Sequence, residues 1–277
     1  MAKVTALETE SVTALDIEML VAKDLKAAAL KLTVGQARYF VDLYYQIQKF
    51  RMATKNEIRS LGPDEPGELI TSVFGSLERI ENRIKKGLDY YTDDQPLGVW
   101  AKSIVGIGPV ITAGLLANID LNKCRTVGSI WRFAGLDPSS KWNKGEKRPW
   151  NASLKRLCWL IGESFVKVSG NPKSLYGKLY VERKAIEQAK NEQGLFAGQA
   201  ATKLATVKIG KDTEAYKHYA QGKLPPAHIH ERAKRWAVKV FLCHYFETGC
   251  RLVLGKEPPL IYSIALLNHV HHIEPEK

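Results

Sequence analysis

An all-α fold is predicted by this 277-residue sequence, and three observations carry the expectation. Apolar residues recur every three to four positions through most of the chain, the period of a helix with one buried face. No segment shows the strict apolar–polar alternation of a half-buried strand. Turn signals rich in Gly and Pro, such as LGPDEPG at 61–67 and TDDQPLG at 92–98, separate the helical runs.

The elements follow in order. Residues 13–31 combine Ala, Leu, Lys and Glu, with Leu15, Met19, Ala22 and Leu25 at helical spacing. Thr33 is placed to cap a long helix from Val34 to about Arg59, whose stripe is Phe40, Leu43, Tyr44, Ile47 and Phe50. A third helix runs from about Glu68 to Tyr91 on Ile70, Phe74, Leu77, Ile80 and Ile84. Two long amphipathic helices joined by a Pro/Gly turn make an antiparallel hairpin or bundle, and both a globular bundle and a dimerising coiled coil satisfy that pattern. Shorter helices are expected at 98–104, 109–118, 126–134 and 152–169, then 173–193, 197–207 and 212–221. Pro225-Pro226 opens the last, His228 to about Leu254, and Gly255 with Pro258-Pro259 stops it.

Composition narrows the class. No uninterrupted apolar run reaches membrane-spanning length and residues 1–13 lack a signal-peptide pattern, so a cytoplasmic protein without membrane contact is expected. Cys124, Cys158, Cys243 and Cys250 are scattered and form no CxxC pair, which fits reduced core residues better than a disulfide framework or a zinc site. The net charge is +12, unevenly spread. Residues 1–100 carry 13 Lys and Arg against 15 Asp and Glu, whereas 141–190 carry 12 against 4, a net of +8. Positive charge gathered this way suits a polyanion, because neutralised phosphates release counterions.

The sharpest motif is Ser103-Ile104-Val105-Gly106-Ile107-Gly108-Pro109-Val110, followed by Ile111 to Leu116. Two glycines flank an aliphatic residue between two apolar helical segments, the pattern of a helix-hairpin-helix. Glycine permits the tight turn and close approach to phosphate, while the second helix presents N–H groups and its positive dipole end. Ile107 is expected to plug the hairpin core, and the amides after Pro109, beginning at Val110, to meet phosphate. A dinucleotide fingerprint would need a preceding strand and a third glycine, where this chain has Ile111.

The stretch that follows is basic and aromatic. Lys141, Lys144, Lys147 and Arg148 alternate with Trp142 and Trp150, and Lys155 and Arg156 come on the next helix. Phosphate neutralisation and base stacking are thereby both available, with Trp142 the favoured contact and Trp131 and Trp159 expected in the core. His228 and His230, two apart, cannot face one ligand together on a helix, and His269, His271 and His272 have only Glu274 and Glu276 for company. No metal and no cofactor are expected.

Gly106-Ile107-Gly108, then Ile130-Trp131-Arg132-Phe133-Ala134-Gly135-Leu136-Asp137-Pro138, the basic loop through Lys147-Arg148 and Ser153-Leu154-Lys155-Arg156-Leu157 resemble the C-terminal domain of DEDD-type insertion-sequence transposases and Piv-type DNA invertases. The resemblance covers about 98–185, with a looser echo at Lys234 to Lys239. It implies DNA binding by a helix-hairpin-helix. Two departures limit the chemistry it implies. Family members begin with a RuvC-like nuclease domain bearing four metal-binding carboxylates, whereas residues 1–95 read as helices only. The family also places a nucleophilic serine before a glycine in the basic loop, where this chain has Lys144-Gly145. Ser139 and Ser140 are the only substitutes nearby, and serines after a Pro are ordinarily turn residues.

The expected organisation is a helical arm at 1–95, a helix-hairpin-helix DNA-binding domain at 96–193 and a C-terminal helical region at 194–277. The expected function is a non-catalytic or degenerate transposase-like DNA-binding protein of a mobile element or phage, forming a homo-oligomer. Its partner is duplex or branched DNA, or structured RNA. The alternatives are an active recombinase using a loop serine or a nuclease partner, and a multimeric structural protein.

Overall fold

The computed structural model describes residues 24–62, 67–259 and 273–275, which are helical with connecting turns and contain no strand. The chain divides into two compact units, Met1–Asp94 and Gln95–Lys277. No helix among the described residues is long and apolar enough to cross a membrane.

In the first unit, residues 24–29 are helical; the remainder of the helix expected at 13–31 lies mostly outside the described residues. Helices α1 (Val34–Leu61) and α2 (Glu68–Asp93) pack side by side. Thr33 caps α1 in a capping box: its hydroxyl accepts from the Gln36 amide at 3.2 Å, and the Gln36 side chain accepts from the Thr33 amide at 2.9 Å. Burial is confined to one end, at Ala37 and Val41 of α1 and at Glu81, Gly87, Leu88, Tyr91 and Thr92 of α2. Glu81 takes Arg51 as its ion-pair partner and accepts from Gln48 at 3.2 Å, so this buried carboxylate is satisfied across the hairpin. No described residue from Asp42 to Ile80 is buried.

The second unit holds α3 (Pro96–Ser103), α4 (Pro109–Asn118), a 3₁₀ turn (Leu121–Lys123), α5 (Val127–Phe133) and α6 (Ala152–Lys167). These are followed by α7 (Leu175–Glu192), α8 (Ala197–Thr206), α9 (Glu214–Ala220) and α10 (Pro226–Leu252). The caps explain the boundaries. Asn151, Ser174 and Thr213 each accept an amide of the first turn with the side chain, and Pro226 occupies the first position of α10, where no amide partner is needed.

α10 is the centre of this unit rather than one wall of it. It packs against α3, α5, α6 and α7, so its apolar residues are buried around several faces. The Phe241 ring stacks on Trp100 at 6.3 Å and meets Phe165 and Tyr176 edge-on at 5.6 and 5.2 Å. Gly249 gives the chain room to pass Leu121, whose Cδ1 would lie 2.6 Å from any Cβ there. A smaller cluster of Ala200, Tyr219, Leu224 and Ile229 ties α8 and α9 to the start of α10. Asn191 of α7 joins it by exchanging hydrogen bonds of 2.8 and 2.9 Å with the Leu224 backbone.

The four cysteines are free, and three of them are buried. Burial pushes the Cys158 thiol up to about 12. It is a packing residue, protonated at ordinary pH.

Candidate nucleic-acid interface

The hairpin is built as the sequence implies, with one addition. The Ile107 amide donates to the Ile104 carbonyl at 2.9 Å, closing a turn whose third residue, Gly106, has φ +98°, a conformation that favours glycine. Ile107 is buried in the core. The Ser164 hydroxyl of α6 donates to the Gly106 carbonyl, pinning the turn to a helix 58 residues away; nothing near 103–116 signals that tie.

Gly108 differs from Gly106. Its φ of −97° suits any residue, and a Cβ there would meet nothing within 4 Å. Gly108 is the N-cap of α4 with no side-chain cap, and Pro109 follows. The amides of Val110 and Ile111 therefore begin the helix with no intrahelical acceptor. Val110 is itself buried.

After α5 the chain turns at Gly135, whose φ is +66°. A Cβ here would lie 2.9 Å from Trp150 Cγ and 3.0 Å from Lys155 Cδ. The Lys155 ammonium sits 3.9 Å from the centroid of the same indole, so the bare Gly135 backbone leaves room for the lysine stem to lie against Trp150. Trp142, 38% exposed, carries the Arg148 guanidinium 5.0 Å from its ring centroid and donates its indole N–H to the Glu146 carbonyl at 2.7 Å. The Glu146 carboxylate accepts from the Asn143 amide and side chain at 3.2 Å each, fixing a turn that puts exposed Lys144 at its tip beside Gly145, φ +94°. Lys141, Lys147 and Arg156 are exposed as well.

Two residues that sequence reasoning did not single out join this face. The Trp131 indole N–H donates to the Lys239 carbonyl of α10 at 3.1 Å, and the Lys239 ammonium lies 4.3 Å from the Trp131 centroid. Exposed Arg235 is one turn earlier on α10. Burial lowers the Lys155 pKa, and the charges of Arg148 and Arg235 lower it further; burial also lowers that of Lys239. Their only sequence signal was the Arg/Lys run at 234–239.

Carboxylate pairing separates the cations into two groups. Arg183 and Arg232 share buried Glu187, and Lys234 binds both Glu163 and Glu231. Among the described residues, no carboxylate lies within ion-pair distance of Lys141, Lys144, Lys147, Arg148, Lys155, Arg235 or Lys239. Trp159, expected in the core, is 52% exposed under the Lys234 ammonium, because Lys234 rather than the indole fills the space against α6; Trp131 is half-buried.

Ser139 donates its hydroxyl to Asp137 at 2.7 Å, and its amide accompanies it at 2.9 Å. Those two bonds, with Arg132 beside them, hold the Asp137 carboxyl below the usual range. The Ser139 hydroxyl is thus engaged in a turn with Asp137, the ordinary place of a serine after a proline. Ser140 closes the same turn through its amide, at 3.2 Å from the Asp137 carbonyl.

Glu163, His230 and Glu231 are the one grouping of three potential metal ligands among the described residues. The Lys234 ammonium already binds both carboxylates, and His230 pairs through Nδ1 with the Tyr180 hydroxyl at 2.8 Å. A metal would have to displace the lysine. His228 faces Tyr219 instead, at 3.1 Å, and His269, His271 and His272, not expected to hold a metal, lie outside the described residues.

No protein-family model, curated protein or solved structure matches this chain.

Proposed function

We propose that the second unit is a nucleic-acid-binding element that grips the sugar-phosphate backbone of DNA and carries no nuclease or strand-transfer chemistry of its own. The observation that carries this reading is the group of cations from Lys141 to Lys155 that have no carboxylate partner, in a unit where Arg183, Arg232 and Lys234 are paired. An unpartnered cation retains its full attraction for phosphate, whereas a paired one must first give up its carboxylate. The hairpin with its uncapped α4 supports the reading, because Val110 and Ile111 offer amides that suit an oxyanion. The order of motifs along 98–185, which resembles the DNA-binding domain of DEDD-type transposases, supports it too and favours a mobile-element or phage context. DNA binding by the full chain should weaken steeply with salt, with a log–log slope of at least about −5 if six or more phosphates are contacted. A flat salt dependence rejects the reading.

The first unit favours a second role, self-association. Its hairpin exposes Tyr39 (62%), Phe50 (59%) and Leu69 (80%) and buries no described residue from Asp42 to Ile80. It also carries an apolar cavity of about 250 Å³ lined by Leu25, Leu32, Phe40, Ile84 and Leu88 among others. Residues 24–94 hold 11 Lys and Arg against 11 Asp and Glu, so two copies would not repel, and two hairpins make a four-helix bundle. Light scattering of the full chain should give a multimer that Phe50→Glu with Leu69→Glu reduces to a monomer. A monomeric wild type at tens of micromolar rejects this role.

A further inference from the structure

We infer that Arg235 and Lys239 of α10 form a second phosphate-contacting strip beside the basic loop, and that the combined surface takes double-stranded DNA in preference to single strands. This rests on the nucleic-acid reading of the unit and specifies its ligand.

The two residues are one helical turn apart and so project from one side of α10. They meet the loop residues through the structure rather than along the sequence. Trp131 of α5 holds Lys239 by its indole N–H and its ring, and the Asn151 amide before α6 donates to the Phe133 carbonyl of α5 at 2.8 Å. Lys155 follows in the first turn of α6, close enough to Arg148 and Arg235 for both charges to disfavour its own. Arg148, Lys155 and Arg235 are three like charges held together with no ion-paired carboxylate, and they leave an electrostatic demand that an anion relieves. A chain of phosphates relieves all of them at once.

The tryptophans decide the form of the nucleic acid. Proteins that bind single strands stack bases on exposed aromatic faces. Here each ring on this side carries a cation on a face: Arg148 on Trp142, Lys155 on Trp150 and Lys239 on Trp131. The Gly135 backbone lies against Trp150 beside the Lys155 stem, and the indole N–H groups of Trp142 and Trp131 are used by backbone carbonyls. The rings therefore aim cations. On those faces they offer no platform, and a surface of aimed cations reads backbone rather than bases. A duplex presents phosphates at the higher density, one negative charge per about 1.7 Å of axis.

The test is fluorescence anisotropy of the full chain with a labelled 20-base-pair duplex and with one of its strands, at several salt concentrations. The duplex should bind at least about tenfold more tightly than the strand. Arg235→Ala and Lys239→Ala should each weaken duplex binding about three- to tenfold and reduce the salt slope by about one, with Lys239→Arg close to wild type. Lys217→Ala, which removes a lysine paired with Glu214, should change nothing. Thermal melts accompany each variant, and exposed Arg235 keeps the test decisive if loss of Lys239 from Trp131 disturbs folding. If the wild type binds duplex but Arg235→Ala and Lys239→Arg/Ala leave affinity and slope unchanged, or if the single strand binds as tightly, this inference is overturned while the broader reading stands. If the wild type binds neither, both fall.

Discussion

Gly162 of α6 and Lys234 of α10 occupy the same space: a Cβ at 162 would lie 2.5 Å from Lys234 Cγ and 3.0 Å from its Cδ. The bare backbone lets the lysine stem lie against α6, 3% exposed, and deliver its ammonium to Glu163 and Glu231. The atoms that would clash belong to the root of the side chain, which cannot swing aside. Gly162→Ala is expected to destabilise the protein by about 1–3 kcal/mol through overpacking, measured by urea unfolding. Gly170→Ala, where a Cβ meets nothing within 4 Å, is the matched control and should be near neutral.

The two hairpin glycines should separate fold from function. Gly106→Ala forces a side chain into φ +98° and to 3.1 Å from both Ser164 Oγ and Val168 Cγ2, so a loss of about 1 kcal/mol or more is expected. Gly108→Ala has an ordinary φ and open space, so stability should hold while DNA affinity falls as the methyl group keeps phosphate from the α4 amides. Melting and binding on the same preparations check both. Normal DNA binding by a folded Gly108→Ala would make the hairpin a structural turn only.

Acid should unfold the second unit partly through Glu187. Burial pushes this carboxyl up, but the hydrogen bond from Arg232 and the charges of Arg183 and Arg232 outweigh it, and the net displacement is downward. A carboxylate whose folded pKa is depressed adds stability that is present above its unfolded value, near 4.5, and lost as pH falls through the folded value. Urea midpoints should therefore drop as pH is lowered below about 5. Glu187→Gln, leaving two guanidiniums without their shared charge, should cost about 3–5 kcal/mol at pH 7 and flatten that acid limb.

Nicking of supercoiled plasmid with Mg²⁺ or Mn²⁺ should not be intrinsic to this chain, because the Ser139 hydroxyl is engaged in a turn with Asp137. Activity that persists through stringent purification and disappears in Ser139→Ala with Ser140→Ala would reverse the conclusion.

The all-α class and nearly every helix boundary were legible because local chemistry sets them: Thr33, Pro109, Gly194 and Pro226 act within a few residues of themselves. The hairpin and the basic loop were legible for the same reason. The Ser164–Gly106 bond, the burial of Lys234 and the exposure of Trp159 were not, since each depends on what another helix brings to the spot. Gly162 illustrates the limit. A glycine inside a helical pattern signals a close approach, but not that the approaching residue is a lysine.

One hydrogen-bond chain closes the far end of the fold. His244, inside the core, has Nε2 2.6 Å from the Ile273 carbonyl and Nδ1 2.7 Å from the Tyr176 hydroxyl. A carbonyl can only accept, so Nε2 carries the proton; in the neutral form of the ring Nδ1 then accepts from the tyrosine. Ile273 also packs on the core. The backbone that joins Ile273 to the rest of the chain keeps it at high effective concentration beside His244. A single backbone cut between 259 and 273 would turn that tether into a dissociable ligand and expose His244 Nε2 to water. The intact and the nicked protein would then differ in whether the His244–Ile273 hydrogen bond is made, although not one side chain had been changed.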